Sequence, residues 1–329
     1  MRLDLHHIAF AFANHAQQAA LLQTPGLREV VPFGQTNPGG LLPQMRHALY
    51  AAPNAFIEMH QAGTPSAYRP VNEAGITHIC LQSATMEPLH GALVAQGATP
   101  HCTPLDLGTG NLYSYLRDTE HNVIEVEALA YAPPAQAPWL AHVGIASHDG
   151  ARLAAFYQQI LGGARSGGYT VGPNPRLDAL AALTDVRAIP YWITGGNVSI
   201  EIWQFLNPPT LPRSVARTYR DPGYSHICFE TDNLQDAMTL LMAAGATVVW
   251  QSQDDAAGDV AFMANLMHSS GVEYTPEPVI VTTHNAYLHD PDGNLIELLQ
   301  LDDDTIYPRI ATLPHPTIIA AVAALRSTP

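Results

Sequence analysis

The sequence predicts an α+β fold built from four β-α-β-β-β modules. Four β-branched or aromatic runs carry a histidine near their start, and each is followed by a later run that ends on Ile-Glu. The first strand of a module is short and alternating, so that in His7-Ile8-Ala9 the side chains of His7 and Ala9 share one face. The four histidines are His7, His78, His142 and His226, and the four glutamates are Glu58, Glu125, Glu201 and Glu297.

The modules form two related halves. GITHICL, which starts at Gly75, matches GYSHICF, which starts at Gly223, and further on YLRDTEHNVIEV matches YLHDPDGNLIEL. The other two modules resemble each other instead, in LHHIAFAF with LAHVGIAS and in FIEMHQ with SIEIWQ. The fourth module also carries an insertion, from about Gln251 to Val281. Internal repeats of this length are a strong indication of architecture.

Helix and turn signals divide each module further. The segments from Arg152 to Leu161 and from Leu234 to Ala244 have helical periodicity and end before a glycine, which is a helix stop. Pro-rich joins separate the modules, and the join at 131–138 is the best boundary between the halves. The predicted units are a first half at 1–130 (modules 1–62 and 72–130), a second half at 139–304 (modules 139–206 and 222–304), and a tail at 305–329 with a short helix from Thr317 to Leu325.

Composition favours a globular protein that binds neither nucleic acid nor membrane. The chain has 329 residues and a formal net charge of −15, and all 14 of its basic residues are arginine. This charge disfavours nucleic acid and anionic membranes as partners, and the absence of lysine removes Schiff-base chemistry. No apolar run is long enough to span a membrane, and the start lacks a secretory leader pattern. Three cysteines do not form a paired framework, so a reducing, cytoplasmic location is predicted.

The repeated histidines and glutamates predict a divalent metal ion as cofactor. Neutral imidazole and carboxylate groups bind borderline or hard divalent ions, and two carboxylates neutralise the charge of the ion where the dielectric constant is low. All eight residues named above are therefore candidate metal ligands. Because the set contains no thiolate, Zn, Fe, Mn, Ni and Co all remain open.

The module pattern resembles the vicinal oxygen chelate superfamily, which includes glyoxalase I, methylmalonyl-CoA epimerase, the extradiol dioxygenases and the bleomycin- and fosfomycin-resistance proteins. YLHDPDGNLIEL is similar to the last-strand consensus of that family, and the resemblance covers about residues 3 to 301. It implies that modules pair into two cup-shaped, glyoxalase-like mixed sheets, each holding a metal ion through its first-strand and last-strand ligands. Neighbouring modules could pair, or the first could pair with the fourth and the second with the third. The resemblance also implies a small-molecule substrate and allows a homodimer.

Two enzyme classes follow from the resemblance. The leading prediction is a glyoxalase-I-like lyase or isomerase that acts on a small substrate with adjacent oxygens. In it Glu297 or Glu125 doubles as the base, and Tyr287 or Tyr115 donates a hydrogen bond to the developing oxyanion. The alternative is an extradiol or hydroquinone-type ring-cleaving dioxygenase that uses Fe or Mn. A weaker alternative is a non-catalytic, resistance-type binding protein, although such members usually lack the full ligand set.

Arginine anchors for a glutathione carboxylate are not found beside the first strands of the second and fourth modules. The residue four positions before His78 is Ala74, and the residue four positions before His226 is Pro222. The thiol adduct of methylglyoxal is therefore disfavoured as the substrate. His60 and Trp203 each follow a module's glutamate by two residues, so both are predicted to face a cup.

Overall fold

The computed structural model describes residues 3–35, 47–62, 64–129, 138–213, 221–251, 283–301 and 308–313. The insertion from residue 252 onward, the join at 131–137 and the predicted helix from Thr317 to Leu325 lie outside these residues. The described chain forms two eight-stranded mixed sheets with short helices, which confirms the predicted α+β class. None of its helices has the length and apolar character needed to cross a membrane.

Each module has the predicted order of elements. The first contains β1 (Leu3–Phe12), α1 (His15–Leu22), β2 (Arg28–Gln35), β3 (His47–Ala51) and β4 (Phe56–Gln61). The second contains β5 (Gly75–Ser83), α2 (Leu89–Ala95), β6 (Thr99–Pro100), β7 (Leu112–Arg117) and β8 (Val123–Ala128). The third contains β9 (Trp139–Ala146), α3 (Gly150–Leu161), β10 (Ala164–Gly167), α4 (Pro175–Ala181), β11 (Arg187–Gly195) and β12 (Val198–Asn207). The fourth contains β13 (Gly223–Thr231), α5 (Leu234–Ala243), β14 (Thr247–Gln251), β15 (Thr283–His289) and β16 (Leu295–Leu301). Helix α4 is an addition that the module pattern did not predict.

Local signals place the helix ends close to their predicted positions. Helix α3 starts at Gly150 because Asp149 caps it, accepting a hydrogen bond from the Arg152 backbone N–H at 3.1 Å. It ends at Leu161, and Gly162 then adopts the left-handed conformation with φ of 62°. Helix α5 starts at Leu234, behind an asparagine cap, and ends one residue before the predicted end.

The strand order identifies which modules pair. The first sheet has the order β14-β15-β16-β13-β1-β4-β3-β2, so it joins the first and fourth modules. The second sheet has the order β10-β11-β12-β9-β5-β8-β7-β6, so it joins the second and third modules. Of the two pairings that the sequence left open, the structure has the swapped one. The halves at 1–130 and 139–304 are therefore not the two sheets, because each sheet takes one module from each half.

Strand register directs the ligands into the cups. In every module the histidine strand runs parallel to the glutamate strand, and the glutamate pairs with the residue two positions after the histidine. Laterally paired residues, and residues two apart on a strand, share one face of the sheet. Histidine and glutamate therefore point to the same side. The four pairs are Ala9 with Glu58, Cys80 with Glu125, Gly144 with Glu201, and Cys228 with Glu297.

The hydrophobic core holds that register in place. One cluster of buried side chains includes residues of both sheets and of the helices. Ile8, Ile79, Val143 and Ile227 each directly follow a ligand histidine, and all four are fully buried in this cluster. Burying such a side chain stabilises the fold by about 1.5–3 kcal/mol. A slip of one residue would exchange these aliphatic groups for histidines, so the core fixes the direction of each histidine.

Two buried asparagines connect the sheets reciprocally. Asn54, in the first module, donates to the Leu140 carbonyl oxygen at 2.6 Å and accepts from the Leu140 backbone N–H at 3.0 Å. Asn197, in the third module, makes the same pair of bonds with the backbone of Leu5, both at 2.8 Å. Each side chain thus satisfies a strand of the opposite sheet.

Asn54→Ala is expected to destabilise the protein by about 2–3 kcal/mol, because it leaves the buried Leu140 N–H and carbonyl oxygen without their partner. Urea denaturation would measure the change in the free energy of unfolding. The control is Asn207→Ala, which removes an exposed hydrogen bond to the Asp185 carbonyl oxygen. Equal, small losses in the two variants would mean that Asn54 does not connect the sheets energetically.

Candidate metal centres

The two cups collect all eight predicted ligands, four in each. All eight side chains are buried. The second-sheet site consists of His78, Glu125, His142 and Glu201, and the first-sheet site consists of His7, Glu58, His226 and Glu297. Each set is divided between one module of the first half and one of the second half.

Four donor atoms converge at the second-sheet site. His142 Nε2 lies 2.8 Å from Glu125 Oε2 and 3.5 Å from Glu201 Oε2. His78 Nε2 lies 3.1 Å from Glu201 Oε2 and 3.4 Å from Glu125 Oε2. The two imidazole nitrogens are 3.3 Å apart, and one donor atom of each residue lies within 4.8 Å of the others. Two nitrogen and two oxygen donors in this arrangement can hold a divalent ion.

Glu201 has one oxygen fixed and one oxygen unsatisfied. Trp192 Nε1 donates a hydrogen bond to Glu201 Oε1 at 3.0 Å. Glu201 Oε2 is buried and, although it lies close to His78 Nε2, it has no hydrogen bond of acceptable geometry within the described residues. A buried carboxylate oxygen without a partner is costly, and a cation between the four ligands would offset that cost. The site therefore fits a metal ion.

Two residues that sequence analysis did not single out position His78. Thr77 Oγ1 donates to the Gly144 carbonyl oxygen at 3.2 Å and can accept from His78 Nδ1–H at 2.9 Å. When the His78 ring is neutral, its Nε2 lone pair therefore faces the site. Gly144 lies opposite His78 on β9, and a Cβ at this position would overlap the imidazole ring. The repeat contains a signal for Thr77, since Ser225 occupies the same place before His226. Gly144 becomes recognisable only when the strand pairing is known.

The histidines and Glu125 of the second-sheet site shift each other's pKa. Burial lowers the pKa of His78, but the contacts with Glu125 and Glu201 outweigh burial and raise the pKa to about 9. Burial raises the pKa of Glu125, but the charges and hydrogen bonds of His142 and His78 lower it to about 2. The pKa of His142 is also raised, since the two carboxylates outweigh its burial. His78 and His142 therefore both hold their protons more tightly than an ordinary histidine, and a metal ion would displace these protons.

Metal binding at the second-sheet site is expected to release about one proton or more per ion at pH 7, because the ion displaces protons from its ligands. The folded pKa of His78 lies above the ordinary 6.5. Its ion pairs therefore stabilise the metal-free fold fully below about pH 6.5, and that contribution is lost as the pH rises through 9. The affinity for metal should rise over the same interval. Zn²⁺ titration calorimetry in buffers of different ionisation enthalpy measures the released protons, and a value of zero would contradict this charge assignment.

A cavity of about 230 Å³ opens over the second-sheet site. His78, Glu125 and Glu201 are among its lining residues, and aliphatic and aromatic side chains form most of its wall. Trp203 is part of this wall, as expected from its position two residues after Glu201. The aromatic residues of the wall are Tyr113, Tyr115, Tyr169, Trp192, Trp203 and Phe205.

Glu125 and Tyr115, two of the predicted catalytic residues, both line this cavity. They pair across β7 and β8, and the ring of Tyr115 lies 5.0 Å from that of His78 between centroids. Burial, together with the charge of Glu125, raises the pKa of Tyr115 well above its ordinary value. The phenol therefore remains protonated and can donate a hydrogen bond at neutral pH.

The first-sheet site is similar in composition but less regular. His226 Nε2 lies 3.1 Å from both His7 Nε2 and Glu297 Oε2. Glu58 Oε2 lies 3.4 Å from His7 Nε2 and 3.9 Å from His226 Nε2. The pKa of His226 is lowered because burial outweighs its bond to Glu297, whereas the pKa of His7 is raised because the two glutamates outweigh its burial. Asn285 donates to the second oxygen of Glu297 at 3.3 Å.

A pair of adjacent imidazoles fixes the tautomer of His7. Burial, together with the charge of His7, lowers the pKa of His6 to about 3, so the His6 ring is neutral. The Pro308 carbonyl oxygen can only accept, so His6 Nε2 donates to it at 2.9 Å and His6 Nδ1 becomes an acceptor. His7 Nδ1–H then donates to His6 Nδ1 at 2.7 Å. When His7 is neutral, its Nε2 lone pair therefore faces Glu58, Glu297 and His226.

Glu297 and Tyr287, the other predicted catalytic residues, lie together in the first-sheet site. They pair across β15 and β16, and the ring of Tyr287 lies 5.8 Å from that of His226 between centroids. His60 also faces this cup, with its Nδ1 3.7 Å from Glu58 Oε2. The two cups thus share the same tyrosine–glutamate pairing. They differ at the position two residues after the glutamate of the first and third modules, which is His60 in the first-sheet cup and Trp203 in the second-sheet cup.

Residues 141–263 match the model of the Glyoxalase/Bleomycin resistance protein/Dioxygenase superfamily. This part of the chain belongs to that superfamily. The match begins on β9, includes the candidate ligands His142, Glu201 and His226, and bears out the resemblance noted in the sequence. A comparison with curated proteins finds no sequence match.

Solved structures share the fold over nearly the whole chain. Glyoxalase I from Zea mays superposes with a TM-score of 0.59 at 13% identity, covering 91% of this chain and 92% of that one. A protein from Bacillus subtilis subsp. subtilis str. 168, provisionally described as a dioxygenase, superposes with a TM-score of 0.55 at 13% identity, covering 98% and 96%. At this identity the likeness establishes the glyoxalase-like fold and not the reaction.

Proposed function

We propose that the protein is a divalent-metal-dependent enzyme of this superfamily, a glyoxalase-I-like lyase or isomerase acting at the second-sheet site. Its substrate is a small molecule with two adjacent oxygens. The observation that carries the proposal is the convergence of two histidines and two glutamates, three of which line a cavity of about 230 Å³. Burying four ionisable side chains costs free energy unless protons or a cation compensate their charges. A site that only sequestered an apolar ligand would have no use for this set.

His78, Glu125, His142 and Glu201 would hold the ion. When bound, a divalent Zn, Fe, Mn, Ni or Co ion acts as a Lewis acid toward the two substrate oxygens. Two neighbouring side chains would hold these ligands in position. Thr77 fixes the tautomer of His78, and Trp192 fixes the carboxylate of Glu201.

Glu125 and Tyr115 perform the proton chemistry in this proposal. Glu125 is ionised at neutral pH and takes the proton from the carbon next to the substrate carbonyl. Tyr115 retains its proton and donates a hydrogen bond to the oxyanion that develops. Apolar wall residues such as Leu177 and Phe205 limit the access of water.

Solvent exchange tests the reaction class. With 2-hydroxyacetophenone as an α-hydroxyketone in D₂O, metal-loaded protein should incorporate deuterium at the carbon that bears the hydroxyl, without oxygen uptake. Tyr115→Phe should slow this exchange by about 10²–10³-fold, the effect of losing one oxyanion donor, with unchanged metal content. Tyr68→Phe, at an exposed tyrosine outside the cavity, is the control. An unchanged rate in Tyr115→Phe would contradict the role of Tyr115, and no exchange with any ion would contradict the reaction class.

The first-sheet site supports a second candidate function, ring-cleaving dioxygenation. Donor atoms of His7, His226 and Glu297 lie within 4.8 Å of one another, and this group does not include Glu58. Two histidines and one carboxylate are the ligand set of non-haem Fe(II) oxygenases. Oxygen uptake with catechols or hydroquinones by Fe(II)-loaded protein would support it, provided that His226→Ala abolishes the uptake and His78→Ala preserves it. No uptake would exclude this candidate.

A further inference from the structure

We infer that the cavity over the second-sheet site selects an uncharged substrate whose adjacent oxygens are attached to a flat ring, and that it discriminates against substrates carrying a carboxylate. The inference rests on the proposed function, since the metal ion would hold the oxygens. The wall, the charges and the size of the cavity each support it.

Aromatic side chains form one side of the cavity. Trp203 and Phe205 follow Glu201 at alternate positions of β12, so they share its face, and their rings are 6.0 Å apart with planes inclined by 27°. The ring of Trp192 lies 6.4 Å from that of Trp203 at 74°. A flat substrate ring placed against this wall could stack on the face of one aromatic side chain and contact the edge of another. Offset-stacked and edge-to-face contacts are the two arrangements that aromatic pairs prefer.

Two positions of this wall hold different residue types in the first module. At the position two residues after the glutamate, the first module has His60 where the third has Trp203. Opposite the glutamate, the first module pairs Leu49 with Glu58 where the third pairs Trp192 with Glu201. The module pattern therefore does not require an aromatic wall. Among the described residues this wall accompanies one of the two ligand sets, which favours a role in binding at that site.

The charges of the cavity disfavour an anionic substrate. Within the described residues no arginine lines the cavity. The ionisable histidine and carboxylate side chains that line it are His78, Glu125 and Glu201. Two carboxylates balance the charge of one divalent ion, so the loaded site offers no surplus positive charge to a substrate carboxylate. Such a group would be buried without a partner, which is strongly unfavourable.

Two hydrogen bonds join the second module to helix α4, which supplies Leu177, Leu180 and Ala181 to the cavity wall. Arg176, at the start of α4, donates to the Asp106 carbonyl oxygen at 2.9 Å. His101 donates to the Leu180 carbonyl oxygen, near the end of the same helix, at 2.8 Å. These bonds hold α4 against the second module, and one of them engages the guanidinium of Arg176, which is not among the residues that line the cavity. The cavity volume of about 230 Å³ suits a compact ring and not a peptide-sized group.

The test compares two probes that differ by one charge, 2-hydroxyacetophenone and its para-carboxylate. Calorimetry on zinc-loaded protein should show that the neutral probe binds at least about tenfold more tightly than the para-carboxylate. Binding of the para-carboxylate would bury a carboxylate without a partner. Trp203→Ala should weaken binding of the neutral probe by about tenfold, the effect of losing one large apolar contact, and Trp203→Phe should restore most of it. Zinc content should be unchanged in both variants. Tyr68→Ala, which removes an exposed aromatic outside the cavity, should not alter binding.

Equal or tighter binding of the para-carboxylate would overturn the inference, and so would an unchanged affinity in folded Trp203→Ala. The comparison of probes on the unmodified protein decides the question even if that variant does not fold. Metal-free protein separates this inference from the proposed function. If the neutral probe binds equally with and without zinc, the proposed function fails. If binding requires zinc but shows no preference for the neutral probe, only the inference fails.

Discussion

Gly144→Ala is expected to eliminate tight metal binding at the second-sheet site, although the substitution adds a single methyl group. The new Cβ would overlap the ring of His78, and both residues lie in paired central strands that cannot easily move apart. Relief of such overpacking costs about 1–3 kcal/mol, and it must displace the imidazole from the other three ligands. We expect the affinity for Zn²⁺ at this site to fall by about 10–100-fold, the effect of disturbing the shell that orients a ligand. Competition with a chromophoric chelator would measure it.

The first sheet provides the matched control for Gly144→Ala. Ala9 occupies the corresponding place, since it pairs with His226 as Gly144 pairs with His78. Ala9→Gly makes the reverse exchange, removes no ligand and introduces no overlap. It should leave both metal affinities unchanged apart from a loss of about 0.5–1 kcal/mol in stability. Full zinc affinity in Gly144→Ala would show that His78 does not need its present position to bind the ion.

His78→Ala is expected to remove one ion per chain and to abolish deuterium exchange into 2-hydroxyacetophenone. The variant loses the nitrogen that lies 3.1 Å from Glu201 and 3.4 Å from Glu125, so two carboxylates share a single imidazole. We expect the affinity of the second-sheet site to fall by at least about a hundredfold, more than the loss of an outer-shell contact would cause. Metal analysis after dialysis, together with the exchange rate, measures both effects.

The control for His78→Ala is His90→Ala, at a histidine of α2 that belongs to neither ligand set and interacts with Glu87. Its metal content and exchange rate should match those of the unmodified protein. Retention of both ions in His78→Ala would remove His78 from the ligands. Loss of both ions would mean that the two cups do not bind independently.

Repetition made the convergence of the candidate ligands predictable from sequence. A single histidine on an apolar strand is more often structural, but His7 and His78 recur at one module position, each followed by a glutamate on a later strand. Alternation along the strand then separates them from the isoleucines that enter the core, Ile8 and Ile79. The same reasoning placed Trp203 and His60 on the cup faces.

The pairing of modules was not predictable, because each histidine strand has the same alternating pattern and could pair with any other. The contacts that accompany the observed pairing involve backbone groups. Asn54 and Asn197 bind the backbones of Leu140 and Leu5, and Tyr224 accepts from the Ile79 N–H across the sheets. Backbone partners leave no trace in the sequence that could be matched in advance.

The residues around the candidate ligands could not be predicted from the sequence either. Trp192 reads as an ordinary strand residue until its register places it opposite Glu201. Helix α4, which supplies one side of the cavity, is short and interrupts an otherwise regular module. Its role depends on packing against the second module. The third and second modules pack together because β9 and β5 are neighbours in the sheet. Residues whose function depends on a partner strand become visible only in the folded chain.

The most direct measurement is the metal content of two double variants, because it tests whether each ion is shared between the halves of the chain. His78→Ala/His142→Ala removes both histidines of the second-sheet site and should retain one ion per chain, held by His7, His226 and their glutamates. His142→Ala/His226→Ala removes one histidine from each site and should retain none after dialysis. Metal sites formed by neighbouring modules would give the opposite result, with no ion in the first variant and one ion in the second.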